Sequence, residues 1–183
     1  FGYHFDFIAI PIIKKRLRSD TSKVILDEAR PQLTEHLATR FRQKIGQNVN
    51  LLGEVVLGNG EADHRYHHYL EALEAPDINY ISVKISGIYA QTHALNYAES
   101  FPELVKRMSA LYQKAMDYPY VDENGVKRAK FVNLDMEEYK DVHFTLRLFK
   151  EVLNKPEFKN YSAGIVVQAY LPDAYEFQTE LLD

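Results

Sequence analysis

Four polar side chains lie at or near the carboxyl ends of four short apolar segments of the sequence: Glu54, Lys84, Asp135 and Gln168. Buried strands of parallel sheets are usually apolar, so a polar residue at the same place in four segments is informative. A lysine is costly to bury without a partner, and a glutamine has the donors and acceptors that suit the edge of a heterocycle. The four residues predict a site at one edge of a sheet.

Each of these residues also has a structural interpretation. Glu54 could accept hydrogen bonds from the loop that follows it, and Gln168 could satisfy loop backbone. Lys84 could form a salt bridge with Asp135. The two glutamates after Asp135, at positions 137 and 138, are interpreted as structural, because acidic side chains complement the dipole at a helix N-terminus.

The four segments are predicted strands, and each is followed by a pattern typical of a helix. Residues 49–57, 79–85, 130–135 and 163–169 are rich in β-branched and aromatic residues, as strands are. Helices are predicted at about 61–73, 102–116 and 139–153, and from about 172 or 173 onward. An Asn124–Gly125 turn predicts a hairpin between the second helix and the third strand. Strands that alternate with helices predict a parallel sheet, with the four strands adjacent in chain order.

This pattern allows two closures, a (βα)8 barrel or a doubly wound sheet. No GxGxxG or GxxxxGK[ST] motif follows the first strand, which removes support from the nucleotide-binding open sheets. A barrel takes about 250 residues, so we expect 47–183 to be the first half of a (βα)8 TIM-type barrel. Residues 1–46 are predicted as a helical lead-in, in which Pro31 opens a helix and Gly46 ends it. Because the chain opens on Phe1 and stops within a helical pattern, we expect both ends to lie inside a longer polypeptide.

Composition excludes several classes of function. The net charge is −4, from 22 basic and 26 acidic residues, which gives no basic field for nucleic acid. There is no cysteine, so thiolate nucleophiles and thiolate metal sites are absent. His64 and His68 have the i, i+4 spacing of metal ligands, but no HExxH pattern surrounds them, and a solvated helix face is the preferred interpretation.

Four segments resemble the successive strand motifs of flavin-dependent proline dehydrogenase, of the type found in bifunctional bacterial proline utilisation proteins. They are NLLGE at 50–54, YISVKIS at 80–86, FVNLDMEEY at 131–139 and AGIVVQAYLP at 163–172. The resemblance implies a barrel that holds FAD and oxidises L-proline to Δ1-pyrroline-5-carboxylate by hydride transfer to the flavin. It also implies a cytoplasmic protein peripheral to the inner membrane, with a quinone as electron acceptor and a covalently linked aldehyde dehydrogenase domain. An oligomer is left open.

The resemblance also implies residue roles. Lys84 matches the lysine that pairs with the proline carboxylate, and Asp135 matches the aspartate beside the flavin. Gln168 matches a glutamine on the flavin ring, with Tyr170 as a further cofactor contact. Glu54 matches a glutamate that gates the site by pairing with a late arginine. Asn50 stands where some members have Asp, and no role is carried over to it.

The segments that complete the family's site, which contact the pyrophosphate, the ribose and the proline carboxylate, do not occur in this sequence. We therefore expect the 183 residues alone to be inactive and to hold FAD weakly. Two alternatives stay open. One is a Schiff-base lyase that uses Lys84, because a strand lysine in a barrel also suits aldolase chemistry. The other is a barrel fragment with no catalytic role.

Overall fold

The structure is a computed structural model, and it describes residues 6–21, 25–26, 30–52, 58–90 and 97–182. Its contacts divide the chain into two compact units, 1–46 and 47–183. The helices and strands follow in chain order: α1 (Asp6–Thr21), α2 (Arg30–Arg42), β1 (Val49–Asn50), α3 (Asn59–Glu74), β2 (Tyr80–Lys84), α4 (Ile85–Ile88), α5 (Tyr97–Asp117), β3 (Tyr120–Val121), β4 (Lys127–Arg128), β5 (Phe131–Asp135), α6 (Val142–Leu153), β6 (Gly164–Ile165) and α7 (Ala174–Leu182).

The first unit contains α1 and α2. Pro31 is the second residue of α2, where its missing N–H would have no partner within the helix, and this prediction is confirmed. Gly46 does not end the helix as predicted, because α2 stops at Arg42. The chain turns at Lys44, whose φ is 58°. A lysine therefore takes the left-handed conformation for which glycine was expected.

The second unit is built on a parallel sheet. Its strands follow the order β1-β2-β5-β6, and every neighbouring pair is parallel. This confirms the predicted arrangement of the four strand segments. The long helices α3, α5 and α6 connect consecutive strands, as parallel pairing requires.

The central strands match the sequence prediction better than the outer ones. β2 and β5 pair along their full length, from Tyr80 to Lys84 and from Phe131 to Asp135. β1 is two residues long where a strand over 49–57 was predicted, and 53–57 lie outside the described residues. β6 also has two residues, although Val166 N–H extends the pairing by donating to the Leu134 carbonyl at 3.0 Å. The predicted strand over 163–169 was therefore too long.

The two faces of β2 and β5 differ in polarity. Ile81 and Val83 of β2, with Val132 and Leu134 of β5, are almost fully buried. The helices supply further buried apolar residues, among them Leu104, Met108, Leu111, Leu146 and Leu148. Because side chains alternate along a strand, Ser82, Lys84, Asn133 and Asp135 share the opposite face. That face carries the polar residues at the carboxyl edge.

The helix boundaries are close to the predicted ones, with one exception. α5 begins at Tyr97, so Pro102 lies inside the helix and does not open it. The hairpin predicted around Asn124–Gly125 is present as β3 and β4, which pair antiparallel, with Gly125 at φ 77°. Within the described ranges, no helix has the length and apolar character needed to cross a membrane.

Candidate functional site

Lys84 and Asp135 meet at the carboxyl edge of the sheet. They lie opposite each other in the register of β2 and β5, and each is the last residue of its strand. Both side chains are half-buried. The structure therefore brings together the two residues that were predicted to be catalytic, at the edge where parallel barrels place their sites.

Side chains from three strand segments hold the Asp135 carboxylate. Its Oδ1 accepts hydrogen bonds from Asn133 Nδ2 at 2.7 Å and from Ser82 Oγ at 3.1 Å. Its Oδ2 accepts one from Asn50 Nδ2 at 3.2 Å. Donors to both oxygens fix the plane of the carboxylate.

The polar network extends across the sheet to the segment before β1. Asn48 Nδ2 donates to Ser82 Oγ at 2.8 Å, and Ser82 is only 1% exposed. The sequence prediction missed Asn48, Ser82 and Asn133, and it gave Asn50 no role. Strand alternation could have found two of them, since Ser82 and Asn133 each precede a predicted site residue by two positions.

Lys84 does not form the salt bridge with Asp135 that was its structural alternative. Within the described part of the chain, no carboxylate oxygen lies within 4.0 Å of its Nζ. The donors to Asp135 are neutral amides and a hydroxyl.

The remaining predicted site residues are Gln168, Tyr170 and Glu54. Gln168 is half-buried, and its Nε2 makes a long hydrogen bond of 3.4 Å to the Glu137 carbonyl. Tyr170 is 80% exposed, in the turn that leads to α7. Glu54 lies outside the described residues.

Glu138 lies at a helix N-terminus as predicted, because it is the N-cap residue of a 3-10 helix at Tyr139–Asp141 that leads into α6. Glu137 precedes this cap. Glu138 lies on the surface beside Lys140, with 2.9 Å between their charged groups. Glu137 turns toward Ser86, whose backbone N–H and Oγ donate to its two carboxylate oxygens. The structural interpretation agrees with the placement of Glu138 at the N-cap and with the contact of Glu137 with Ser86.

The close approach of β5 and β6 also shapes this face. An added Cβ on Gly164 would lie 2.5 Å from Asn133 Oδ1 and 2.8 Å from the Phe131 ring. A side chain at position 164 would require Asn133 or Phe131 to shift. The Asn133 side chain therefore lies against the bare backbone of Gly164.

A surface groove lies between α3 and α5. Its charged groups pair with one another: Arg107 contacts Asp63 at 2.7 Å and Glu103 at 3.0 Å. Burial acts to lower the pKa of Arg107, but the hydrogen bonds to both carboxylates outweigh it and the pKa is raised. The Nδ1 atom of His67 lies 2.6 Å from the Asp63 carbonyl oxygen. No group of three or more metal-ligating side chains occurs among the residues that the structure describes.

A parallel sheet with polar residues at its carboxyl edge defines an α/β protein of the kind that closes into a barrel. The family model for proline dehydrogenase matches residues 33–183. The chain therefore belongs to the proline dehydrogenase family. A comparison with curated protein sequences found no match.

Solved structures of proline utilization A (PutA) resemble the chain. The protein from Corynebacterium freiburgense matches with a TM-score of 0.78 and 36% identity, over 99% of this chain and 19% of that one. The protein from Bdellovibrio bacteriovorus, inactivated by N-propargylglycine, matches with a TM-score of 0.80 and 31% identity, over 95% and 19%. A mutant of the Bradyrhizobium japonicum protein, at 24% identity and a TM-score of 0.61 over 73% and 14%, shows the shared fold alone. The chain thus spans less than a fifth of the length of the first two.

Proposed function

We propose that the protein oxidises L-proline to Δ1-pyrroline-5-carboxylate with FAD as its cofactor. The observation that carries this proposal is that Lys84 lies opposite Asp135 at the carboxyl edge. Three donors hold the Asp135 carboxylate, and Lys84 forms no ion pair with any described carboxylate. Membership of the proline dehydrogenase family supports the choice of substrate. In this proposal the residues mainly orient a substrate against a cofactor, as proteins do when the cofactor supplies the chemistry.

Lys84 is proposed to bind the proline carboxylate. Its Nζ faces no carboxylate among the described residues, so the substrate anion would be its partner. A bond between an ammonium and a carboxylate is shorter and stronger than one between neutral groups. Lys84 lies opposite Asp135 in the register of β2 and β5, so a substrate bound to its ammonium would lie beside Asp135.

The residues at this edge fit a flavin. Asp135, Gln168 and Tyr170 supply a carboxylate, an amide and a phenol, which match the N–H and C=O groups along a flavin ring. Gln168 uses its amide for a single long bond of 3.4 Å, and its carbonyl is at hand for a ring N–H. When bound, FAD would accept the hydride that leaves proline. Asp135, held by three donors, keeps its position beside the ring.

Several further properties are proposed from the family alone. Glu54 would gate the site by pairing with an arginine from elsewhere in the protein. A membrane quinone would take the electrons, and an aldehyde dehydrogenase domain in the same polypeptide would process the product. The protein would work in the cytoplasm, at the surface of the inner membrane.

The test is the substitution Lys84→Ala in the full-length protein. Loss of a charge-assisted bond to a desolvated carboxylate should weaken the binding of proline and of cyclopentanecarboxylate by about 2–5 kcal/mol. The affinity for FAD should stay unchanged. Steady-state kinetics and calorimetric titration of each ligand measure this. Lys140→Ala is the matched control, because Lys140 is an exposed lysine already paired with Glu138.

Two outcomes would contradict the proposal. An unchanged KM with normal turnover in Lys84→Ala would remove this lysine from the site. Covalent trapping of a carbonyl substrate on Lys84 by borohydride would instead support the Schiff-base lyase.

A further inference from the structure

The backbone of Lys84 passes directly into the four-residue helix α4. Lys84 itself is extended, with φ −109° and ψ 146°, and helical geometry begins at Ile85. A helix this short makes few hydrogen bonds of its own. The position of α4, and with it the direction of the Lys84 side chain, therefore depends on contacts from other parts of the fold.

Glu137 makes two of these contacts with a single carboxylate. The Ser86 backbone N–H donates to Glu137 Oε2 at 3.1 Å, and Ser86 Oγ donates to Oε1 at 2.7 Å. Glu137 follows Asp135 by two residues, as Ser86 follows Lys84 by two. The Glu137 carboxylate thus links the segment that follows Asp135 to the segment that follows Lys84, next to the paired strands β2 and β5.

The rest of α4 is held from the opposite side by α3 and α5. The Tyr69 hydroxyl lies 2.8 Å from where a Cβ on Gly87 would be, so the tyrosine packs against bare backbone. Arg107 donates to the Ile88 carbonyl at 3.0 Å, and its guanidinium is held by Asp63 and Glu103. Arg107 fixes the far end of α4, and the Tyr69 hydroxyl also hydrogen-bonds the Lys84 backbone. Glu137 holds the first turn of α4, at Ser86.

We propose that Glu137 is a positioning residue for Lys84. By accepting both donors of Ser86, it fixes the start of α4, and so fixes the direction in which the Lys84 ammonium meets a substrate carboxylate. The inference rests on the proposed function, because it assigns to Glu137 an effect on binding of the same anion. It does not require Glu137 to touch substrate or cofactor.

The first experiment measures hydrogen exchange of the amides at 85–88 in the full-length protein. Glu137→Ala removes both acceptors, and the Ser86 amide should exchange at least about tenfold faster, since a bond to a carboxylate is among the stronger hydrogen bonds. Glu138→Ala is the matched control: it removes the adjacent glutamate, whose side chain is 66% exposed. Glu138→Ala should leave exchange at 85–88 unchanged.

The second experiment titrates cyclopentanecarboxylate and FAD into the same variants. Glu137→Ala should weaken the carboxylate by about tenfold, equivalent to about 1.4 kcal/mol, and leave FAD affinity unchanged. Glu137→Gln keeps one of the two acceptor oxygens and replaces the other with an NH2 group. This variant should therefore retain part of the carboxylate affinity that Glu137→Ala loses. Ser86→Ala should weaken the carboxylate in the wild-type background and add little to Glu137→Ala, because the two residues act through one contact.

The outcomes separate this inference from the proposed function. If the amides at 85–88 exchange at the same rate in Glu137→Ala as in Glu138→Ala, Glu137 does not fix the start of α4 and the inference is wrong. It is also wrong if exchange rises while carboxylate affinity does not change and Lys84→Ala still lowers that affinity. If Lys84→Ala itself has no effect on the carboxylate, the proposed function fails.

Discussion

Ser82 contributes to the site without contacting substrate or cofactor in the proposed function. Its hydroxyl accepts from Asn48 and donates to Asp135, and the side chain is almost completely buried. The Asp135 carboxylate consequently depends on a residue of the neighbouring strand for its orientation. A buried hydroxyl between two polar partners is costly to remove, because both partners lose a hydrogen bond.

Ser82→Ala should therefore lower the free energy of unfolding by about 1–3 kcal/mol. Denaturant unfolding of the full-length protein measures it, with Ser162→Ala, an exposed serine, as the control. A loss no greater than in Ser162→Ala would show that the network reorganises or that water replaces the hydroxyl.

The residues of the site could be predicted only in part. Lys84 and Asp135 were predicted because each ends an apolar strand. The alternation of Ser82 with Ile81 and Val83 also places Ser82 on the polar face of the strand, so the pattern could have identified it. The contact of Glu137 with Ser86 could not be predicted from the pattern, since it joins positions 51 apart in the chain and depends on where the loop after β5 turns.

The β3–β4 hairpin is held together by a single carboxylate. Asp122 Oδ1 accepts from the backbone N–H groups of Asn124 and Val126, both at 2.9 Å, and Arg128 Nε donates to Oδ2. The hydrogen bond from Arg128, followed by that from the Val126 backbone, lowers the pKa of Asp122 below its usual 3.8. The charged form is thus favoured in the folded hairpin.

The stability of the hairpin should depend on pH in the corresponding direction. Because the folded pKa is depressed, the contribution of Asp122 is fully present above pH 3.8 and is lost as pH falls through the folded pKa. NMR chemical shifts of the Asn124 and Val126 amides, followed from about pH 6 to about pH 2, should report a midpoint below 3.8. The Asp122→Asn variant should lack this transition. A midpoint at or above 3.8 would mean that the Arg128 contact is absent in solution.

Elements were predicted more reliably than their lengths. The order of strands and helices follows from period and composition, and the structure confirms the parallel order. β6 was predicted too long because an apolar run shows that a segment is buried but not that it has a pairing partner on both sides. β6 pairs only with β5 in the described structure, so its ladder ends after a few residues.

Among the described residues, the parallel sheet of the second unit is open. β1 and β6 are its outer strands, and each pairs with one neighbour, whereas a closed barrel has no edges. Large apolar side chains are exposed near β6, including Val166, Tyr170, Tyr175 and Leu182. Open strand edges and exposed apolar surface favour association with further chain or with other copies.

The 183-residue chain by itself should therefore associate, hold FAD weakly and not oxidise proline. Light scattering gives the mass in solution, and absorbance gives the bound flavin. The outcome that would contradict this prediction is a monomer of 21.3 kDa that binds flavin stoichiometrically and whose flavin absorbance is bleached by proline. That result would show that residues 1–183 suffice for the chemistry.

The exposed hairpin makes this chain convenient for labelling. The tip at Glu123 and Asn124 is exposed, and the hairpin is separate from the parallel sheet. Because the chain contains neither cysteine nor tryptophan, Glu123→Cys would introduce its single thiol, and a tryptophan at the same position would be its single indole. A fluorophore or spin label there would report on the hairpin of the 183-residue chain, and on its association with other copies, without a background of competing sites.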